Sequence, residues 1–586
     1  MSSTDATAQY SPSLPSSPPR SIAGVRFHFR ADGPVRGGFG LAGARLIFGS
    51  ESGSVYALDK RDGSVLWRTS VGSPVLSTPA IAGARAYFTT WDNALHAFDI
   101  ASGRELWRVD LGRTLGASDY WEYYVSSPIL ADGRLYVGSG DGKLYAIDPA
   151  TGRIAWASDV GARIRTTPAI SGAFVAVGTM SGHVVALDRR SGGELWRFAT
   201  KGAAQDFSFK DNDTRSVVTA PIIVGDTVIA GGRDGYIYGI DRRSGKERWR
   251  ETHDGGSWIL GLAGDKSRFY AGGGSAFVIQ AADPATGKEV WRTPTGNAMF
   301  GGIARAGDVL VSNGSQGGLL GFDANTGAQL WSFRLPEMAL SSPLVADGVV
   351  YTGADDGSVY AVDTATSRQP ALDRYVYSYT NPPAAGFFWF KPDTLASITG
   401  AFGRSGYAAL GSEDLARALA TPGGKRGRKI IVLADTRLPD AVDAVALRRF
   451  LDGGGVLVLI GPDPVIYSFD SEGAPQGVDP EKEKAAFGLD QADKARDYGY
   501  NFSTFTPAAR GLGLTGHFVT IGWARPEQVS TVLAADRSGM ATAWTKRFPN
   551  GGLLVQLPVP RSRAIDLSAY INAIDLASAR AAAEKL

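Results

Sequence analysis

An eight-bladed β-propeller followed by an α/β domain is the architecture the sequence predicts, and three observations predict it. A small residue, an apolar residue and an aspartate recur eight times, ending at Asp59, Asp99, Asp148, Asp188, Asp241, Asp283, Asp323 and Asp363. A glycine follows each of the first seven aspartates by four residues and a tryptophan by eight, from Gly63 and Trp67 through Gly327 and Trp331. Such self-similarity at about forty residues marks a repeat architecture. Beyond Ala371 the pattern changes to apolar strands alternating with helical periodicity, which means a parallel sheet with helices.

Within one unit, the alternating runs "SVYALD" and "SVLWRTS" read as half-buried strands. The Asp-to-Gly segment between them reads as a hairpin loop, with Asp capping backbone N–H groups and Gly taking a positive φ. A third strand follows a Ser/Thr-Pro pair, as in "STPAIAG" and "SSPILADG", and a fourth precedes a Gly-rich turn, as in "RLYVGSGDG". Four strands per unit make a propeller blade. The tryptophan on the last strand is a large apolar plate between neighbouring blades, so the seven indoles are assigned to packing rather than to a binding site.

The eighth copy breaks off after Asp363: Ser367 stands where the glycine belongs and Ala371 where the tryptophan belongs. Residues 24–30 supply the missing outer strand, with Phe27 in the tryptophan register, so the ring of residues 22–370 is closed by its own N-terminus. Residues 1–21, rich in Ser and Pro without an apolar run, are expected to be a disordered leader.

Lys plus Arg total 60 against 58 Asp plus Glu, so no overall field recruits nucleic acid or an anionic membrane. The absence of cysteine excludes disulfides, thiol nucleophiles and Cys-ligated metals. No apolar run reaches membrane-spanning length. Ala6-Thr7-Ala8 has the small-x-small form of a signal-peptidase site, which points to the periplasm; read as an ordinary polar tail it leaves the chain cytoplasmic.

Aspartate-to-aspartate spacing is about forty residues except for two insertions, 113–127 and 201–218. Both join the outer strand of one blade to the inner strand of the next, so both project from one face near the channel mouth. Tyr120, Trp121, Tyr123, Phe207 and Phe209, with Lys210 and Arg215, suit stacking on a flat ligand or anchoring a partner. Trp91 and Asp92, in a turn where other units carry glycine, and His253 and Trp258 join this set. The same aromatics would equally fill loop cores. Asp211-Asn212-Asp213 offers two carboxylates, short of a full calcium loop, and His96 and His183 lie within repeat strands as structural residues.

Copies such as "GKLYAIDPATGRIAWASDVG" resemble the pyrroloquinoline-quinone (PQQ) propeller repeat, shared by quinoprotein alcohol dehydrogenases and the outer-membrane assembly factor BamB. The resemblance implies the eight-bladed fold; for function it implies either a non-enzymatic binding scaffold, with a protein, small-molecule or glycan ligand at the decorated face, or a PQQ-dependent dehydrogenase. Quinone enzymes of this type hold PQQ between a Trp and a vicinal-Cys disulfide, with calcium and an Asp base. This chain cannot form that disulfide. A carbohydrate-binding or carbohydrate-processing role is a further alternative.

Residues 373–586 read as a Rossmann-like or flavodoxin-like domain through "RKIIVLAD", the helix "DAVDAVALRRFLDGGG" and the strand "VLVLIG". "IIVLAD" to "FLDGGGVLVLIGPDP" resembles class I glutamine-amidotransferase-like domains, including the trehalose-utilisation type. Active members carry a nucleophilic Cys in a turn after a strand; here the turn is Gly461-Pro462-Asp463-Pro464. No Gly-x-Ser-x-Gly elbow replaces it. Asn381, Asp435 and Asp463 mark the expected rim of the strand-end crevice. The expectation overall is a binding scaffold of the bacterial envelope with no catalytic residue.

Overall fold

The computed structural model describes residues 17–115, 125–205, 214–253, 258–274, 277–296, 298–299, 301–315, 317–366, 372–377, 392–424, 427–434, 438–439, 441–461, 467–469, 475–489, 501–514, 517–520, 524–558 and 567–583. The chain divides into two compact units, one of Met1–Ile22 with Arg26–Ser367, the other of Ala23–Val25 with Arg368–Leu586.

The hairpin chemistry builds the blades as expected. Asp99 Oδ1 accepts from the Ser102 amide at 2.9 Å and its hydroxyl at 2.6 Å, and Asp148 Oδ1 accepts from the amides of Ala150 and Thr151 at 2.8 and 2.9 Å. The glycine that ends each hairpin has positive φ, +71° at Gly103 and +74° at Gly152. Blade one consists of Gly40–Ala42, Arg45–Gly49, Ser54–Asp59 and Val65–Ser70, each antiparallel to the next. Six further four-stranded sheets repeat this order to Gln329–Arg334. The first strands of successive blades touch one another, which puts them around the central channel.

The repeat residues lock blade to blade. An added Cβ on Gly103 would lie 2.5 Å from the Trp67 ring, and one on Gly287 2.5 Å from Trp249, so each indole of one blade lies flat on the hairpin glycine of the next. The indole N–H then donates to the carbonyl just after the next repeat aspartate: Trp67 to Ile100 at 2.8 Å, Trp196 to Arg242 at 2.8 Å, Trp291 to Ala324 at 3.0 Å. Only glycine permits that approach, because any side chain there would displace the plate.

The eighth sheet closes the ring. Its strands are Leu344–Ala346, Val349–Gly353, Ser358–Ala365 and, outermost, Ser21–Arg30. Phe27, 7% exposed, occupies the tryptophan position: a Cβ on Gly63 would come 2.5 Å from its ring. Arg26 pairs with Asp363 at 2.7 Å, and His28 donates to or accepts from Ser358 at 3.0 Å while stacking on Tyr360 at 4.4 Å. Residues 18–21, expected to belong to the disordered leader, are placed instead. Ser21 already stands in the strand, and Pro18–Arg20 have defined neighbours in blade seven. The eighth repeat lacks its hairpin glycine, so this segment has an unfilled edge to cover.

In the second unit, strands Ala408–Leu410, Leu372–Tyr377, Gly427–Leu433, Val456–Ile460 and Leu553–Leu557 lie side by side in parallel. Helices Pro392–Arg404, Ser412–Leu419 and Ala444–Asp452 follow three of these strands, and Leu567–Ala583 follows the last. Asp443 caps the third helix by accepting from the Ala446 amide at 2.8 Å, and the Gly453–Gly455 run ends it. Apolar residues of both helices and strands, including Leu433, Leu447, Phe450 and Leu459, form one buried core. The expected all-parallel sheet continues instead as an antiparallel half, Ala541–Arg547, Thr531–Asp536, Asn501–Phe505 and His517–Thr520. These strands follow one another through turns, without a helix of crossover length between 531 and 557, so antiparallel pairing is the short route.

Candidate functional site

The end of each loop that enters a blade builds the channel. A buried aliphatic residue packs where a Cβ on the previous blade's second strand would collide: Val75 with Gly49, Ile164 with Gly138, Val217 with Gly178, at 2.2 to 2.4 Å. Among the described residues, the next position can be followed in seven blades. In this register stand Arg36, Leu76, Val125, Arg165, Val218, Leu260 and Leu340. Six of them, all but Arg165, surround one opening of about 450 Å3, solvent included, together with Gly38, Thr78, Ser127, Gly302 and Ser342.

In blades two, three, four and eight two hydroxyls hold this wall, which explains the Ser/Thr-Pro motif there. The first bonds within its own blade: Ser77 Oγ donates to the Thr89 carbonyl at 2.9 Å and accepts from its amide at 2.8 Å, and Thr166 does the same with Gly178. The second bonds across blades, accepting the amide of the same position one blade earlier. Gly38 donates to Thr78, Thr78 to Ser127, Ser127 to Thr167 and Gly302 to Ser342, at 2.9 to 3.3 Å. Buried amides are thus satisfied without a continuous sheet.

Charges beside the throat are already paired. Arg36 spans Asp355 at 3.0 Å and Glu51 at 3.2 Å. Asp92 accepts from Thr90 Oγ1 at 2.5 Å and from Arg108 at 3.0 Å. Burial pushes the Asp92 carboxyl up, but the hydrogen bonds from Thr90, Ser73 and Arg108 outweigh it and hold it below the ordinary value. Trp91 carries the Arg165 guanidinium 5.2 Å from its ring centre, and Trp258 carries that of Arg233 at 4.8 Å. Both arginines are 2% exposed.

Of the expected face residues, Trp91 and Asp92 lie in the second-to-third-strand turn of blade two, and Arg215 and Trp258 in the loops entering blades five and six. Those turns and loops share one face, because both connect at the same end of a four-stranded antiparallel blade. Trp91 and Trp258 belong to different sectors, each with its own arginine. Tyr120, Trp121, Tyr123, Phe207, Phe209 and Lys210 lie outside the described residues, as do Asp211, Asn381, Asp435 and Asp463. His253 is fully buried, with Nδ1 3.1 Å from Gln280 Oε1, so it supports the loop from within. His96 is buried between Thr90 and Glu105 at 3.2 and 2.8 Å, as expected of a structural histidine. The throat register itself went unread in the sequence: Leu76, Val125, Arg165 and Leu340 precede a Ser/Thr-Ser/Thr-Pro triplet, whereas Arg36, Val218 and Leu260 do not.

Among the described residues no three His, Cys, Asp or Glu side chains gather where they could hold a metal ion. Cysteine is absent from the whole chain, so the vicinal-Cys disulfide of the quinone enzymes cannot form in it.

An eight-bladed propeller with a PQQ-type repeat and one loop-bearing face is the class these features define. The family described as "Outer membrane protein assembly factor BamB" matches residues 19–119, 95–257 and 275–398, and the chain belongs to that family. BamB of Nitrosomonas eutropha is 29% identical over 101 residues, 17% of this chain and 24% of that protein. The quinoprotein alcohol dehydrogenase PedH of Pseudomonas putida is 32% identical over 112 residues, 17% of this chain and 19% of that protein. The chain therefore spans a quarter or less of the length of these two curated relatives. The solved BamB of Moraxella catarrhalis aligns with 62% of this chain and 95% of its own at 18% identity, with a TM-score of 0.43.

Proposed function

We propose that this chain is a non-enzymatic binding scaffold of the bacterial cell envelope, taking a protein partner on the loop-bearing face of the propeller. The observation that carries the reading is the convergence of Leu76, Val125, Val218, Leu260 and Leu340, from five blades, on one opening ringed by ion pairs that are already satisfied. An apolar centre with a paired polar rim is the anatomy of a protein interface. Among the described residues of that rim, Arg36, Asp92 and Arg108 are each held in an ion pair. Membership of the assembly-factor family supports the envelope assignment, and the second unit is read as an amidotransferase-like α/β domain without its nucleophile.

The PQQ-dependent reading has the PedH similarity in its favour. Against it stands the absence of cysteine, without which the vicinal disulfide of those enzymes cannot form.

The test is affinity capture from a bacterial envelope extract with wild type, a Leu76→Asp/Leu260→Asp variant and a Tyr120/Trp121/Tyr123 triple-alanine variant. A protein captured by wild type and lost by both variants supports the reading. A captured protein indifferent to both refutes the face assignment. Dye-linked alcohol oxidation after incubation with PQQ and calcium would overturn it in favour of the dehydrogenase.

A further inference from the structure

At five blade junctions an indole N–H donates to the carbonyl that follows the next repeat aspartate, at 2.8 to 3.2 Å (Trp67, Trp156, Trp196, Trp249 and Trp291). At two junctions the basic residue at that position reaches back to the aspartate in the first turn of the preceding blade, whereas Arg242 reaches Ser171 there at 3.1 Å and pairs with Asp226 of its own blade. Lys60 pairs with Asp347 at 2.8 Å, and Arg189 pairs with Asp132. At the junction of blades seven and eight the pattern is kept, but the accepting carbonyl and the cation come from another segment. Trp331 donates to the Pro19 carbonyl at 2.5 Å, Arg20 pairs with Asp308 and with Asp323 at 3.4 Å, and a Cβ on Gly307 would touch Pro18 at 2.9 Å. Three residues from the N-terminus thus supply both the carbonyl and the cation that a hairpin supplies elsewhere, 312 positions away in sequence for the Trp331 contact.

We propose that the seam between blades seven and eight is a recognition site for a Pro-Pro-Arg segment turned at its second proline, where the Arg20 amide donates to the Pro18 carbonyl at 2.9 Å, occupied by the chain's own Pro18–Arg20 as a detachable clasp. Gly307 gives the first proline a flat floor, Trp331 reads the carbonyl of the second, and Asp308 with Asp323 reads the arginine. The proline pair suits the task, because its restricted backbone loses little entropy when it docks. The clasp sits just ahead of the strand Ser21–Arg30 and so governs how firmly the ring is shut. It lies at the opposite end of the blades from the loop-bearing face, so it is independent of the partner site proposed above.

The test compares the full chain with forms lacking residues 1–16 and 1–20, by hydrogen exchange of the segments 21–30 and 329–334 and by thermal melting. The 1–16 deletion is expected to match the full chain. The 1–20 deletion is expected to exchange faster in both segments and to melt about 2 °C or more lower. A synthetic Ser-Ser-Pro-Pro-Arg-Ser peptide at millimolar concentration restores protection to the 1–20 deletion, and the same peptide with Glu for Arg does not. In the full chain, Arg20→Asp speeds exchange and Asp308→Arg partly rescues it. Equal exchange in the two deletions overturns the clasp. Protection by both peptides or by neither overturns the recognition site.

Discussion

Replacing Phe27 with alanine removes the side chain on which ring closure turns. Phe27 is 7% exposed and belongs to a cluster with Val35, Phe48, Leu58, Tyr351 and Val359, residues drawn from blades one and eight. Its ring lies so close to Gly63 that a Cβ there would stand 2.5 Å away. The truncation loses the transfer energy of the ring and leaves a cavity between two rigid sheets, which together cost about 3–5 kcal/mol. Phe27→Trp should cost far less, because the Lys60 carbonyl occupies the position that accepts an indole N–H at other junctions, as Ile100 does from Trp67 at 2.8 Å. Urea denaturation followed by tryptophan fluorescence measures both variants, since most of the tryptophans lie in the propeller. A loss below about 1 kcal/mol for Phe27→Ala would refute the claim that this strand seals the ring.

Gly103→Ala should cost about 2–4 kcal/mol, since φ is +71° and the new Cβ would meet Trp67 at 2.5 Å; Gly43→Ala, with φ +61° and open space around it, should cost only about 1 kcal/mol. Denaturation midpoints of the pair isolate the plate contact from backbone strain. Burial holds His28, His96 and His183 below the ordinary 6.5, so the unfolded chain takes up protons first; stability from these groups is full above pH 6.5 and falls as pH drops below it. Urea midpoints between pH 7 and 5 should fall, with a shallower slope for His28→Gln. In the second unit, Asp575 accepts from Arg374 at 3.1 Å and from the Tyr407 hydroxyl at 2.8 Å, with Tyr407 only 3% exposed. Asp575→Ala strands both donors and should destabilise that unit by about 2–3 kcal/mol, read by calorimetry.

The propeller was legible because its sequence marks are packing devices repeated blade after blade. The Asp–Gly–Trp spacing encodes a cap, a positive φ and a plate, and the failure of that spacing after Asp363 pointed to Phe27 as the substitute. The role of Pro18–Arg20 was not legible. A carbonyl and a guanidinium that bond to residues some 300 positions distant leave no periodic trace, and a Ser/Pro-rich composition reads as a passive leader. The antiparallel half of the second sheet was missed because its strands, such as Asn501–Phe505, are short and polar. At the candidate site, aromatic loops drew attention by composition, whereas the throat register is carried by ordinary Leu and Val. Those residues become notable only when they are seen to converge on one opening. Asp92 looked available in sequence and is committed to Arg108 in the structure.

Site-specific photocrosslinking tests the central claim most directly. A benzophenone side chain placed at Leu76 in the throat, and separately at Arg190 on an opposite-face hairpin, is irradiated in a bacterial envelope extract. A discrete protein adduct from position 76 that is absent from position 190 is the predicted result. Adducts from position 190 alone, or equal labelling from both, would contradict a partner site on the loop-bearing face.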